Sequence, residues 1–167
     1  MSIAELFLDE FRREVVGTRR TLEAVPADRY DYSPHEKSFK MGRLAGHIAE
    51  IPAWAEGMVT QDELDMAAGG LTNIDPSSAE ELMSGWEASV EAFERGLEGA
   101  SDEHLQQTWT LRAGEQVLYS APRVVAIRNF VLNHMIHHRG QLQVYLRLLD
   151  IPLPSVYGPT ADERDFG

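Results

Sequence analysis

The sequence predicts an all-α fold, a four-helix bundle. Four stretches carry apolar residues alternately three and four apart, the rhythm that keeps one helix face against partners. Two of them open on a Ser and a Glu spaced as a capping pair, and Pro26 and Pro122 stand at stripe edges. A chain of 167 residues suits one domain, so residues 1–167 read as a single domain with an extended, proline-rich tail beginning near Asp150.

The first helix opens at "SIAE", where Ser2 and Glu5 can satisfy each other's backbone N–H groups. Its stripe is Leu8, Phe11, Val15, Thr18, Leu22 and Val25, and Pro26 ends it. The second begins near Met41 and carries Leu44, His47, Ile51, Trp54 and Met58. Pro52 lies inside this run, lacks an amide hydrogen for the carbonyl of Ile48, and should kink the helix one turn past His47. After the loop "AAGGLTNIDPSS", Ser78 and Glu81 cap a third helix that buries Leu82, Trp86, Val90, Phe93 and Leu97. "QQTWTLRAGEQVLYS" has the Thr, Trp, Val and Tyr content of a short hairpin around an Ala-Gly pair. Pro122 suits the first turn of a fourth helix, whose stripe is Ile127, Val131, His134, His138, Leu142, Tyr145 and Leu149.

The formal net charge is −12 and no Lys/Arg cluster opposes it, so neither nucleic acid nor an anionic membrane surface is expected as a partner. There are no cysteines, which removes disulfides, thiolate metal sites and any sulfur nucleophile of the chain's own. "MSIAELFLDEFRREVV" carries Glu5, Asp9 and Glu10 among its apolar residues and is no signal peptide, and no apolar run is long enough to span a bilayer. A cytoplasmic protein is expected.

Within "NHMIHHRGQL", His134 and His138 lie one turn apart, so their Cβ atoms should be about 5–6 Å from each other and both rings can turn toward one point. His47 on the second stripe is the natural third ligand for a divalent metal. Buried imidazoles without partners would cost about 1–3 kcal/mol each, and neither stripe offers an acidic residue beside them. Three neutral ligands leave the ion its full charge and a position open to water or a small molecule. Zinc, nickel, iron and copper all suit imidazole.

His137 and Arg139 leave the helix about 100° to either side of the stripe and are expected in surface, helix-helix or dimer contacts. Trp54 and Trp86 read as core anchors, and His35 and His104 as solvated. The patterns of ferritin-like di-iron bundles, zinc proteases, nucleophile elbows and phosphate-binding loops are all missing.

"SFKMGRLAGHIAEIPAW" and "NHMIHHRGQLQVYLRLLDIPLPSVYGPTADE" resemble the two histidine-bearing motifs of the DinB superfamily, the DinB/YfiT-like bacterial metalloenzymes, and the resemblance covers nearly the whole chain. It implies an up-down-down-up four-helix bundle, a homodimer in many members, and a divalent metal held by His47, His134 and His138. Characterised relatives include mycothiol-dependent maleylpyruvate isomerase and bacillithiol transferases. The resemblance therefore implies a transferase that uses a low-molecular-weight thiol on a small-molecule substrate. A metal-dependent hydrolase and a non-catalytic metal-binding stress protein are the competing expectations.

Overall fold

The computed structural model describes residues 1–69 and 73–164. Gly70, Leu71 and Thr72 of the expected loop, and Asp165, Phe166 and Gly167 of the expected tail, lie outside the described residues. Helix α1 (Ile3–Glu23) starts on the expected reciprocal cap. The Glu5 N–H donates to the Ser2 hydroxyl at 3.1 Å and the Ser2 N–H to the Glu5 carboxylate at 2.7 Å. It ends just ahead of Pro26, with Phe7, Phe11, Thr18 and Leu22 buried and Leu8 and Val15 half-buried.

Helix α2 (Met41–Glu50) begins at the predicted residue. Pro52 then has its predicted effect: the chain tightens into a 3₁₀ turn at Ile51–Ala53 and resumes as α3 (Trp54–Thr60). The long third helix, α4 (Ala79–Leu97), is capped by the Ser78 hydroxyl, but the Glu81 carboxylate turns to the Ser77 N–H instead of closing the reciprocal box.

The all-α four-helix-bundle class with up-down-down-up topology is corrected by a three-stranded mixed sheet. After α4 and a short α5 (Asp102–Gln106), strands β2 (Thr108–Ala113) and β3 (Gln116–Pro122) form the hairpin that the composition allows. Its turn places Gly114 at φ 58°, which glycine adopts without a Cβ clash. The addition is β1 (Glu63–Asp65), which pairs in parallel with β2. Glu63, Leu64 and Asp65 have no strand propensity to announce themselves; pairing selects them. Arg112 reaches both Glu63 and Asp65, and Asp65 accepts the Gly114 N–H at 2.9 Å.

The last helical stretch is continuous but not uniform. Helix α6 (Arg123–Ile127) passes into wider π-type turns at Arg128–Asn133, then into α7 (His134–Leu148). A π turn takes up about one extra residue of arc, some 100° of phase. The buried line therefore runs Ile127, Val131, Met135, Arg139, Leu142 and Leu146, and His134 and His138 stand on its flank, half-buried. Arg139 consequently sits inside, 3% exposed, where it pairs with Glu14 at 2.8 Å, donates to the Thr18 hydroxyl at 2.9 Å and stands over the Tyr157 ring.

Helices α1 and α2 each pack on both α4 and α7, around Phe11 stacked on Phe93 and a fully buried Trp86. Burying such side chains contributes about 1.5–3 kcal/mol each. The tail folds back across α1. The Val156 side chain occupies a notch over Gly17, Tyr157 donates to Glu14, and Arg20 holds both Glu163 and the Ser155 carbonyl. Among the described residues no helix is long and apolar enough to cross a membrane.

Two helical glycines should respond to alanine with opposite signs. A Cβ on Gly46 would lie 2.0 Å from the Ile74 carbonyl oxygen, whereas one on Gly140 meets nothing within 4 Å. Gly46→Ala is expected to lower the unfolding free energy by about 1–3 kcal/mol, and Gly140→Ala to raise it by about 0.5–1 kcal/mol. Urea denaturation followed by circular dichroism measures both.

Candidate metal centre

The contact of α2 with α7 brings His47 to His134 and His138. Ring centroids are 5.1 Å apart for His47 and His134, 4.8 Å for His47 and His138, and 4.6 Å for His134 and His138. One coordinating atom from each ring lies within 4.8 Å of the other two, so the cluster can hold a metal ion. The Nε2 atoms of His47 and His134 are 3.4 Å apart. Two imidazoles bound to a tetrahedral ion at about 2.0–2.1 Å would be separated by about 3.3–3.4 Å.

Each ring has an oxygen at its other nitrogen. His47 Nδ1 meets Glu50 Oε1 at 2.7 Å, His134 Nδ1 meets the Phe130 carbonyl at 3.3 Å, and His138 Nδ1 meets Gln141 Oε1 at 2.7 Å. A carboxylate or carbonyl oxygen only accepts, so each neutral ring carries its proton on Nδ1 and keeps the Nε2 lone pair. Hydrogen bonds of this kind fix the tautomer and raise ligand basicity in histidine metal sites.

Glu50 corrects the expectation that no acidic residue stands beside the imidazoles. It is 3% exposed. Its Oε1 accepts from His47 and from Arg43 Nη2 at 2.8 Å, and its Oε2 accepts the Ile74 N–H at 2.7 Å. Burial is the largest single influence on this carboxyl and would raise its pKa. The donors from His47, Arg43 and Ile74 together outweigh it and hold Glu50 below the usual carboxylate range. The sequence does carry a signal for it: a glutamate three residues after His47 shares its helix face.

Burial depresses His138 to about 4, with the neighbouring imidazoles adding to it against the hydrogen bond to Gln141. Burial, then the His47 ring, also lower His134. Trp54 leans against His47 and His134 at 5.6 and 5.5 Å between centroids. An open hollow of about 430 Å³ reaches His138, bordered by Lys37, Phe39, Gln141 and Tyr145.

The remaining predicted residues fall elsewhere. His137 is exposed, its Nε2 accepts from the Gln141 amide at 3.0 Å, and its ring stands edge-on to His138 at 5.0 Å between centroids, outside the cluster that can hold an ion. His35 is exposed, as expected. His104 is not simply solvated: it is half-buried and donates from Nε2 to the Val59 carbonyl at 2.7 Å. Trp86 is a core anchor, whereas Trp54 borders a cavity.

A family model described as the DinB family matches residues 1–165. The protein YrdA of Bacillus subtilis (strain 168), described as uncharacterized, is 24% identical over 158 residues, covering 94% of this chain and 89% of that protein. Among solved structures, a DinB-like protein from Bacillus cereus ATCC 10987 superposes with a TM-score of 0.71 at 24% identity, covering 92% of this chain and 97% of that one. The DinB-like protein YjoA from Bacillus subtilis gives 0.68 at 20% identity, covering 88% and 94%. These two share the fold.

The depressed imidazoles set a stability slope for the metal-free chain. In the unfolded state histidine titrates near pH 6.5, whereas folded His138 takes its proton only near pH 4. Between these values the unfolded chain binds more protons, so stability falls as pH drops through that window, and this contribution levels off below it. Urea midpoints of chelated protein at pH 7.5, 6, 5 and 4 should show the decline, and His138→Phe should make it shallower. A midpoint that rises on acidification would contradict the burial of these rings.

Proposed function

The chain belongs to the DinB family, and from that premise we propose that His47, His134 and His138 hold one divalent metal at the centre of an enzyme that transfers a low-molecular-weight thiol to an electrophilic small molecule. The observation that carries this reading is the convergence of three rings that each have an oxygen at Nδ1: the Nε2 atoms of His47 and His134 stand 3.4 Å apart, and one coordinating atom of each ring lies within 4.8 Å of the other two. A divalent ion there would supply Lewis acidity and lower the pKa of a thiol or water at its open position.

The chain's own groups complete the arrangement. Glu50 orients His47 and makes its Nε2 a stronger donor, while Gln141 does the same for His138. The hollow beside His138 admits a small molecule, which favours chemistry over a purely structural staple. Lys37 sets a positive charge at its edge, on a chain whose net charge of −12 would otherwise repel anionic thiols. Because the chain contains no cysteine, the sulfur nucleophile comes from outside. Homodimer formation belongs to the same proposal, with the exposed Val144 and Leu148 on α7 as apolar surface available to a second copy.

Purified protein is expected to carry close to one divalent metal per chain by elemental analysis. His134→Ala and His138→Ala should each cut this by about tenfold or more, Glu50→Gln should weaken affinity roughly 10–100-fold, and His137→Ala should leave it near wild type. Full occupancy in the His134→Ala/His138→Ala double variant would remove the assignment.

Assays with 1-chloro-2,4-dinitrobenzene and a panel of small thiols test the reaction. Sulfur bonds to the ring carbon as chloride leaves, and turnover should require both the thiol and the histidine cluster. Metal-dependent ester hydrolysis without thiol would make the protein a hydrolase. A fully metallated protein inert in both assays would make it non-catalytic.

A further inference from the structure

A second cavity, of about 610 Å³, lies between α3, α4, the strands β1 and β2, and the π turns, and shares no lining residue with the hollow at His138. Its apolar walls include Trp54, Met58, Leu64, Trp109 and Phe130, and Gln61 also lines it. None of the three clustered histidines lines it. Its volume is in the range of small-molecule sites, which are mostly apolar with a few placed polar groups.

Two observations indicate what it would take. The first is charge. Among the described residues that line the chamber Glu50 is the one ionisable group, and its carboxylate oxygens are already engaged by His47, Arg43 and the Ile74 N–H. No uncompensated charge is left there to pair with an ionic ligand. The second is a polar group without a partner. Ser89 on α4 lines the chamber and is 5% exposed, and its hydroxyl makes no hydrogen bond to any described residue. Hydroxyls at the end of α3 and just ahead of α4 do find acceptors within a turn of the chain: Thr60 donates to the Glu56 carbonyl and Ser77 to the Glu81 carboxylate. The indole N–H groups of Trp54 and Trp109 are also unpartnered. The Trp86 indole, which does not line the chamber, is unpartnered too, so it is the Ser89 hydroxyl on the wall that supplies a placed polar group for a ligand.

We propose that this chamber is a binding site for an uncharged, predominantly apolar small molecule, aromatic or acyl in character, carrying one polar atom for the Ser89 hydroxyl. The proposal does not rest on the metal reading: Glu50 and Trp54 are shared between the chamber wall and the surroundings of His47, but none of the lining residues is a proposed ligand and the selectivity comes from the lining. An anionic ligand is disfavoured twice, by the apolar walls and by the acidic chain.

The uncharged fluorophore N-phenyl-1-naphthylamine serves as probe, titrated into the full chain both as purified and after chelation. Expected is saturable enhancement at close to one site per chain in both samples, with quenching of tryptophan emission because two of the three tryptophans border the chamber. Ala88→Trp places bulk at an exposed position on the chamber wall and should weaken binding at least tenfold. Ser89→Leu, filling the chamber from inside, should do the same, with helical content checked by circular dichroism. Val144→Trp, beside the hollow at His138, should leave binding unchanged. Failure to saturate, insensitivity to Ala88→Trp and Ser89→Leu in folded protein, or loss on Val144→Trp would overturn the proposal. Binding retained after chelation would support the chamber even if the metal assignment fails, and probe binding that requires the metal would overturn it.

Discussion

One buried carboxylate organises the middle of this molecule. Glu50 sits where burial opposes its charge, and it remains ionised because three elements of the chain converge on it: the imidazole one turn back on α2, the Arg43 guanidinium two turns back, and the Ile74 amide from the segment before α4. Removing a partner from a buried, hydrogen-bonded charge typically costs about 3–5 kcal/mol, so the arrangement is self-enforcing. Gly46 allows it, since only a residue without a Cβ lets the Ile74 backbone come close enough to reach Glu50. The same contact fixes the rotation of His47 and forms part of the chamber wall.

The second constraint is the phase of the last helix. An unbroken α-helix would aim His134 and His138 at the centre of the core, where the two rings would displace apolar packing. The π turns rotate them to the flank and put Met135 and Arg139 in their place. The rings thereby stay dry enough for burial to hold them neutral, yet His138 still meets an opening. The core in turn accommodates Arg139 through Glu14, Thr18 and the Tyr157 face.

Much of this is legible in the sequence. The three-four stripes, the caps at Ser2 and Ser78, the break at Pro52 and the convergence of His47 with an i, i+4 histidine pair all follow from local rules that the fold obeys. What local rules miss is chosen by tertiary pairing. Strand β1 has the composition of a loop and exists because β2 offers an open edge. The π turns carry no composition signal of their own, so extrapolating the helical phase through them sets Arg139 beside the stripe, in a surface, helix-helix or dimer contact; the fold makes it a helix-helix contact and carries it onto the buried line itself. Glu50 escapes for a related reason. It lies off the apolar stripe, and a search confined to that stripe passes over a residue on the same face one turn from His47.

The strap across α1 has a bearing on the order in which the fold closes. Tyr157, Val156 and Glu163 cover Glu14, Gly17 and Arg20, and the hydrogen bonds that hold them join positions 135 to 143 apart in the chain. The entropic cost of closing so long a loop falls on these contacts, whereas the helices beneath them form from local ones. That places the strap among the last parts of the fold to close and the first to open.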